Sequence, residues 1–438
     1  MDATIINSSI VSNYIHLGGG TYMSSDNKKL KLIRAGKLID GKSGQIVKNA
    51  ALLIDGSTIT AVGPEAKIAP SNHTQFQEFN YPNATMLPGL VDAHIHMNGF
   101  GDGRLGDELS QYPSEILMLQ SAKNLRKHLK SGVTTIRDCG SKQKTAFHMK
   151  EGIRLGLATG PRMIVCGRPI TITGGHMWYF GSEANGESDV VSMVRQLVKE
   201  GADFIKIVAT GGSTVTSFTH RASFNPNEML AMVNEAHKFG KLTGAHCISS
   251  QGVINALDAG VDTIIHCGFF EPDGSSKFKP EVAKRIADTG TWVDATVAQS
   301  WVRQLAIEKK EERGEQLSSE DKVQISAIKE SRLIHQDHFG RMLDLGVRMV
   351  SGSDSSWAHY PIGGFQYEII GHAEWGMNNM DAIISGTKAA ADCIGLGNIV
   401  GTLEPGKEAD ILLVDGDPSV DIWDLLKVKD VFLAGEKV

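Results

Sequence analysis

Cysteine is scarce in this 438-residue chain. The five present, Cys139, Cys166, Cys247, Cys267 and Cys393, form an odd, scattered set without a C-x-x-C pair. That excludes a disulfide scaffold and points to free thiols in a reducing compartment. No apolar run approaches the roughly 18–20 residues needed to span a bilayer. The opening MDATIINSSIVSNYIHLGGG is interrupted by Asn, Ser and His and has no Lys or Arg before Lys28, which makes it a poor signal peptide. Excess positive charge is lacking as well. Forty-four Lys+Arg against 50 Asp+Glu leave −6, without the basic stripe that nucleic acid or a membrane surface requires. No repeat of period 20–50 is visible. What remains is the profile of a soluble, cytoplasmic protein with a large core, 41% hydrophobic and 21% charged.

Residues 1–27 read as an extension outside the main fold. From 28 to 86 short alternating runs with Asp-Gly turns at 40–41 and 55–56 predict a small β-unit. Residues 400–438 return to the same texture, so the two ends are expected to pair into one discontinuous β-sandwich domain. Between them, 87–399, β-branched runs alternate with amphipathic stretches that mostly stop at Gly. Eight strands are predicted, at 90–97, 133–139, 162–167, 204–210, 242–247, 263–268, 291–296 and 347–354, with a last helix near 381–395. This spacing predicts an α/β fold, a (β/α)₈ barrel; a doubly wound sheet is the alternative.

In such a barrel chemistry sits at the C-terminal strand ends. There the sequence places His94 and His96, two residues apart and so on one side of a strand, then His246, His266 and Asp354, with Lys206 inside the fourth strand. A single strand histidine is more often a core or surface residue. Four histidines and an aspartate at one end of one barrel are the ligand mix of zinc or a similar divalent ion. Cys247 and Cys267 should alternate outward into packing. Asp92 and Asp138 could orient ligands from behind. Lys206 has two readings. Burial would favour a neutral amine able to add CO₂ and become a metal-bridging carbamate, whereas a lysine lying along the strand could carry its charged head to water.

Together, LPGLVDAHIH, the strand-4 lysine, GAHC, TIIHCG, SGSD and PGKEADILLVD resemble the metal-dependent amidohydrolase superfamily, over roughly 28–438. The closest likeness is to the imidazolonepropionase-related branch that includes prolidase-like dipeptidases. The resemblance implies two divalent ions, with zinc as the default. His94, His96 and Asp354 would hold one, His246 and His266 the other, with carboxylated Lys206 bridging. It also implies that Asp354 moves the proton from water to the leaving amine, and that His176 in the Gly-rich 167–188 loop contacts the substrate carbonyl. His220 and Arg221, after the fourth strand, are candidate substrate-carboxylate ligands. Where related dipeptidases carry a tyrosine, this chain has Phe224. Family members commonly self-associate, so a homo-oligomer is expected.

The leading function is hydrolysis of an exocyclic amide by a metal-bridging hydroxide, the substrate being an Xaa-amino-acid dipeptide or an N-acyl amino acid. Alternatives are cyclic-amide opening of the imidazolonepropionase kind, deamination, or attack on a foreign amide or carbamate. The bridging lysine argues against the first two. A non-catalytic barrel would have lost a ligand or the proton-transferring acid, and all are present.

Overall fold

A computed structural model describes residues 30–42, 44–68 and 76–438. The expected 1–27 extension lies outside them. Four strands, β1 (Leu30–Ile39), β2 (Ile46–Asp55), β3 (Thr58–Pro64) and β4 (Phe76–Pro88), open the fold. Eight more follow, each starting at or one residue after the start of a run expected from the sequence: β5 (Leu90–Ile95), β6 (Val133–Asp138), β7 (Arg162–Val165), β8 (Phe204–Val208), β9 (Leu242–His246), β10 (Thr263–Ile265), β11 (Trp292–Asp294) and β12 (Arg348–Val350). The chain closes with β13 (Ile411–Asp415), β14 (Val428–Leu433) and β15 (Glu436–Lys437).

Strands β5–β12 are all parallel and separated by helices, in one three-stranded and one five-stranded sheet. Backbone hydrogen bonds join the two sheets at both seams. At one, Asp203 N donates to Val165 O (2.8 Å) and Val208 N to Ile170 O (2.9 Å); at the other, Ala93 N donates to Ser351 O (3.2 Å) and Asp354 N to His94 O (2.8 Å). Continuous β-branched runs form these strands because helices cover them, and β5, β6 and β8 are buried at every position. The helices end as their sequences suggest. Gly186–Glu200, for example, stops at Gly201, whose φ of 107° is the left-handed cap that glycine adopts without strain.

The end strands form one continuous seven-stranded sheet, β15-β14-β13-β4-β1-β2-β3, which joins the two chain ends in one β-unit. It is continuous because β4 pairs on one side with β1 and on the other with β13 (Met86 opposite Leu413). Ile33, Leu52, Met86, Ile411 and Phe432 share its apolar cluster. The buried Asp410 ties this segment to β7 through Arg162 at 2.6 Å. The last helix is also broken, into Asn379–Ser385 and Lys388–Cys393. The carbonyls of Ser385 and Gly386 leave it to accept from Ser351 N (3.0 Å) and Val91 N (2.9 Å) of neighbouring strands. Among the described residues no helix is long and apolar enough to cross a membrane.

Candidate metal centre

The rings of His94 and His96, at the end of β5, lie 5.2 Å apart. Asp354 reaches them because its backbone N–H is tied to the His94 carbonyl, with φ at 51°. Its Oδ1 is 3.4 Å from His94 Nε2 and 3.3 Å from His96 Nε2. One donor atom from each of the three residues fits within 4.8 Å of the others, and all three residues are buried. Lys206, on β8, is 1% exposed with Nζ 3.4 Å from His94 Nε2, so the reading in which its head reaches water does not hold. His266 extends the group, its ring 5.7 Å from that of His94 and 4.6 Å from that of His246. His176 adds a further ring 4.7 Å from His246.

Electrostatics prepares this cluster for a cation. Burial first, then Lys206 and the other histidines, holds the His94 ring well below its ordinary pKa. Burial followed by His266 does the same for His246. Burial brings His176 to about 3 and His266 to about 4, against the pull of Asp354. These imidazoles are therefore neutral at neutral pH and offer lone pairs. For Asp354 burial pushes upward, but the His96 hydrogen bond and the nearby His266 and Lys206 hold the carboxyl below its usual range, so it is ionised. At the strand ends His266, Cys267, Thr296 and Asp354 adopt φ of 49–68° although none is glycine. Such conformations cost about 1–3 kcal/mol each and persist where surrounding bonds dictate them; here His266 N is fixed on Asp294 O at 2.7 Å.

The groups behind the cluster were only partly foreseen. Asp92 accepts from Ser353 N (2.9 Å), Ser353 Oγ (2.6 Å) and His128 Nε2 (3.1 Å), which locks β5 against the SGSD turn. Asp138 holds Met97 N at 3.0 Å, just past His96. The sequence reading overlooked Asp294, fully buried on β11, whose Oδ2 lies 3.0 Å from His94 Nδ1. The strand-end rule that picked out the histidines applies equally to the acid in TWVDAT. With Nδ1 donating to Asp294, Nε2 keeps its lone pair toward the cluster. Gly352 makes this approach possible, since a Cβ there would sit 2.5 Å from Asp294 Oδ2 and 2.7 Å from His94 Cβ. Gln299 was also missed, and no sequence signal marks it; its Nε2 donates to Asp354 Oδ2 at 2.7 Å.

The loops complete the site. His176 Nδ1 meets Thr214 Oγ1 at 2.8 Å and Met177 N donates to the same oxygen at 3.1 Å, so the 167–188 and 211–225 loops clasp each other. Trp357 and Phe180 stand beside His96, with rings at 5.1 and 6.2 Å. Two candidates are not drawn to the cluster's centre. Arg221 is exposed over the Phe218 ring at 5.4 Å, because the turn closed by Arg221 N on Phe218 O (3.1 Å) turns it there. His220 stacks on Phe270 at 5.1 Å. Phe224 is 2% exposed within the apolar cluster behind β8 and β9, so that position packs the core. Cys247 and Cys267 lie in the same cluster.

A model of the amidohydrolase family matches residues 85–438. The ochratoxinase of Aspergillus niger is 25% identical over 429 residues, covering 91% of this chain and 84% of its own. The imidazolonepropionase of Bdellovibrio bacteriovorus is 22% identical over 425 residues, 92% of each chain. A solved Xaa-Pro dipeptidase with methionine bound in its active site superposes with a TM-score of 0.78 at 28% identity, covering 94% of this chain and 100% of that one. Together with the buried His-His-Asp cluster, these findings make the protein a member of the amidohydrolase family and a hydrolase of carbon–nitrogen bonds.

Proposed function

We propose that this chain is a binuclear-metal amidase whose substrate is an exocyclic amide with an amino acid as the leaving amine, a dipeptide or an N-acyl amino acid. The observation that carries this reading is Lys206, buried with Nζ 3.4 Å from His94 Nε2 in a nest of neutral imidazoles. A lysine there fits a carbamate between two ions, which a single-ion site has no use for. The seam hydrogen bonds support treating β5–β12 as one closed barrel, with the end sheet as a separate discontinuous domain. Five free, buried thiols fit a reducing compartment.

The family generally binds divalent metals, and the donor set suits them: neutral imidazoles, an ionised carboxylate and a candidate carbamate, with zinc the default. In this reading His94, His96 and Asp354 would hold one ion and His246 and His266 the other, with carboxylated Lys206 as their shared ligand. Two such ions, when bound, supply acidification of a water and polarisation of the amide carbonyl. The chain's own residues do the rest. Asp354, oriented by Gln299, takes the water's proton on Oδ2 and returns it to the leaving nitrogen. His176, fixed by Thr214, faces the carbonyl oxygen as it gains charge. Phe180 and Trp357 wall off the His96 side from water.

The test is metal analysis of protein purified without chelator, paired with amino-acid release from a panel of dipeptides and N-acyl amino acids. Two ions per chain with turnover are expected. Lys206→Ala should lose metal and regain part of its activity with short carboxylates. One ion, no amino-acid release and unchanged metal content in Lys206→Ala would overturn the reading.

A further inference from the structure

Beside the candidate ligands stand two imidazoles whose arrangement has a consequence for the substrate. His220 lies on the connection after β8, Phe270 on that after β10, and His335 on the helix Ser319–Asp344 after β11. Residues of three connections thus meet at the Phe270 ring. The His220 ring stacks on Phe270 (5.1 Å, 11°), and His335 meets the same ring edge-on (6.1 Å, 80°). Phe270 is held rigid, its carbonyl accepting from Ser250 N at 2.9 Å and its N–H donating to Ile248 O at 3.3 Å. Among the described residues neither imidazole has a hydrogen-bond or ion-pair partner for its ring nitrogens. The adjacent carboxylate, Glu271, is engaged by Lys279 at 3.0 Å and Ser250 at 2.9 Å. His335 is near enough to oppose protonation of His266.

We propose that His220 and His335, spaced by Phe270, form the pocket for a free carboxylate on the amine half of the substrate. The proposal rests on the amidase reading above and adds the residues that recognise the amino acid. Ring N–H groups are donors, a carboxylate is an acceptor with two oxygens, and hydrogen bonds to a charged acceptor are the stronger kind. Burial holds the His335 ring below its ordinary pKa, so it acts as a neutral N–H donor at neutral pH. The pair takes the place of Arg221, which points to solvent over Phe218.

The test uses the metal-loaded enzyme and two matched pairs of probes: N-acetyl-L-methionine with N-acetyl-L-methioninamide as substrates, and L-methionine with L-methioninamide as calorimetric ligands. His335→Phe keeps the ring packing and removes both nitrogens. It should raise KM for the free acid about tenfold or more, with kcat changed by less than about threefold, and raise KM for the carboxamide by less than about threefold. Binding of L-methionine should weaken by a similar factor and that of L-methioninamide should not. His335→Gln, which restores an N–H donor, should recover most of the loss. Equal effects on acid and carboxamide, or none on either, overturn the pocket. If wild type cleaves neither amide yet binds L-methionine in a His335-dependent way, the amidase reading falls and the pocket stands.

Discussion

The strand ends and the loops above them are built differently. At the strand ends His94, His96, Lys206 and Asp354 are at most 6% exposed. Backbone bonds set their geometry, down to Asp354 N on His94 O. In the loops, positions are set by side chains: Thr214 on His176, Phe218 under Arg221, Phe270 between two histidines. Phe218 and Val215 are 71% and 75% exposed. In the proposed reading chemistry is thus held by buried strand ends fixed by backbone bonds, while recognition is held by loops fixed by side chains.

The sharpest way to break the comparison is to remove chemistry from a strand end without disturbing the fold. Asp354→Asn should cut turnover by a factor of about 10²–10⁴ while circular dichroism and thermal midpoint stay near wild type. An active Asp354→Asn enzyme would end its role as proton carrier. Asp294→Ala comes next. It leaves a buried His94 N–H without its acceptor, so metal affinity should drop about 10–100-fold, read by chelator competition and by the visible spectrum of the cobalt-loaded protein. Unchanged affinity would mean that His94 is oriented by the strand alone.

A smaller effect tests how the strand ends are braced. Glu368 is fully buried and accepts from Val297 N (2.8 Å) and Ala298 N (2.7 Å), pinning the start of the helix that carries Gln299. Burial, opposed by those two hydrogen bonds, lifts its carboxyl to about 8 from 4.5. A raised acid keeps its proton in the native state after the unfolded chain has lost it. Its contribution is therefore complete below about 4.5 and is lost as pH rises toward about 8. Measured against Glu368→Gln, whose other titrating groups are the same, wild type should lose stability across this window by an amount on the order of a few kcal/mol. Denaturant midpoints for both proteins at pH 5.5 and 8.5 measure it. A Glu368→Gln slope equal to wild type would refute the assignment.

The same division explains what was legible in the sequence. All eight parallel strands were found because a helix-covered strand must be a short apolar run, and the clustered histidines because they stand where those runs end. Asp294 obeys the same rule and was overlooked. Gln299 obeys none, since its reach to Asp354 depends on how Glu368 holds the helix start. At the chain ends alternation identified the strands but not which neighbour each bonds, with β4 lying between β1 and β13. The single last helix failed because strand N–H groups of Ser351 and Val91, remote in sequence, capture the carbonyls of Ser385 and Gly386. Arg221 was chosen for its chemistry, and a local turn carried it to solvent.

Thr214→Val should give the smallest effect and the most direct view of the loops. Valine fills the volume of threonine but cannot bond His176 Nδ1 or accept from Met177 N, which are 2.8 and 3.1 Å from the hydroxyl. A neutral hydrogen bond of about 1 kcal/mol corresponds to a change of about fivefold. If the loops only place the substrate, this loss falls on KM, and kcat and metal content stay within about twofold of wild type. If kcat falls instead, His176 stabilises charge that develops in the reaction, and the strand-end chemistry extends one residue into the loops.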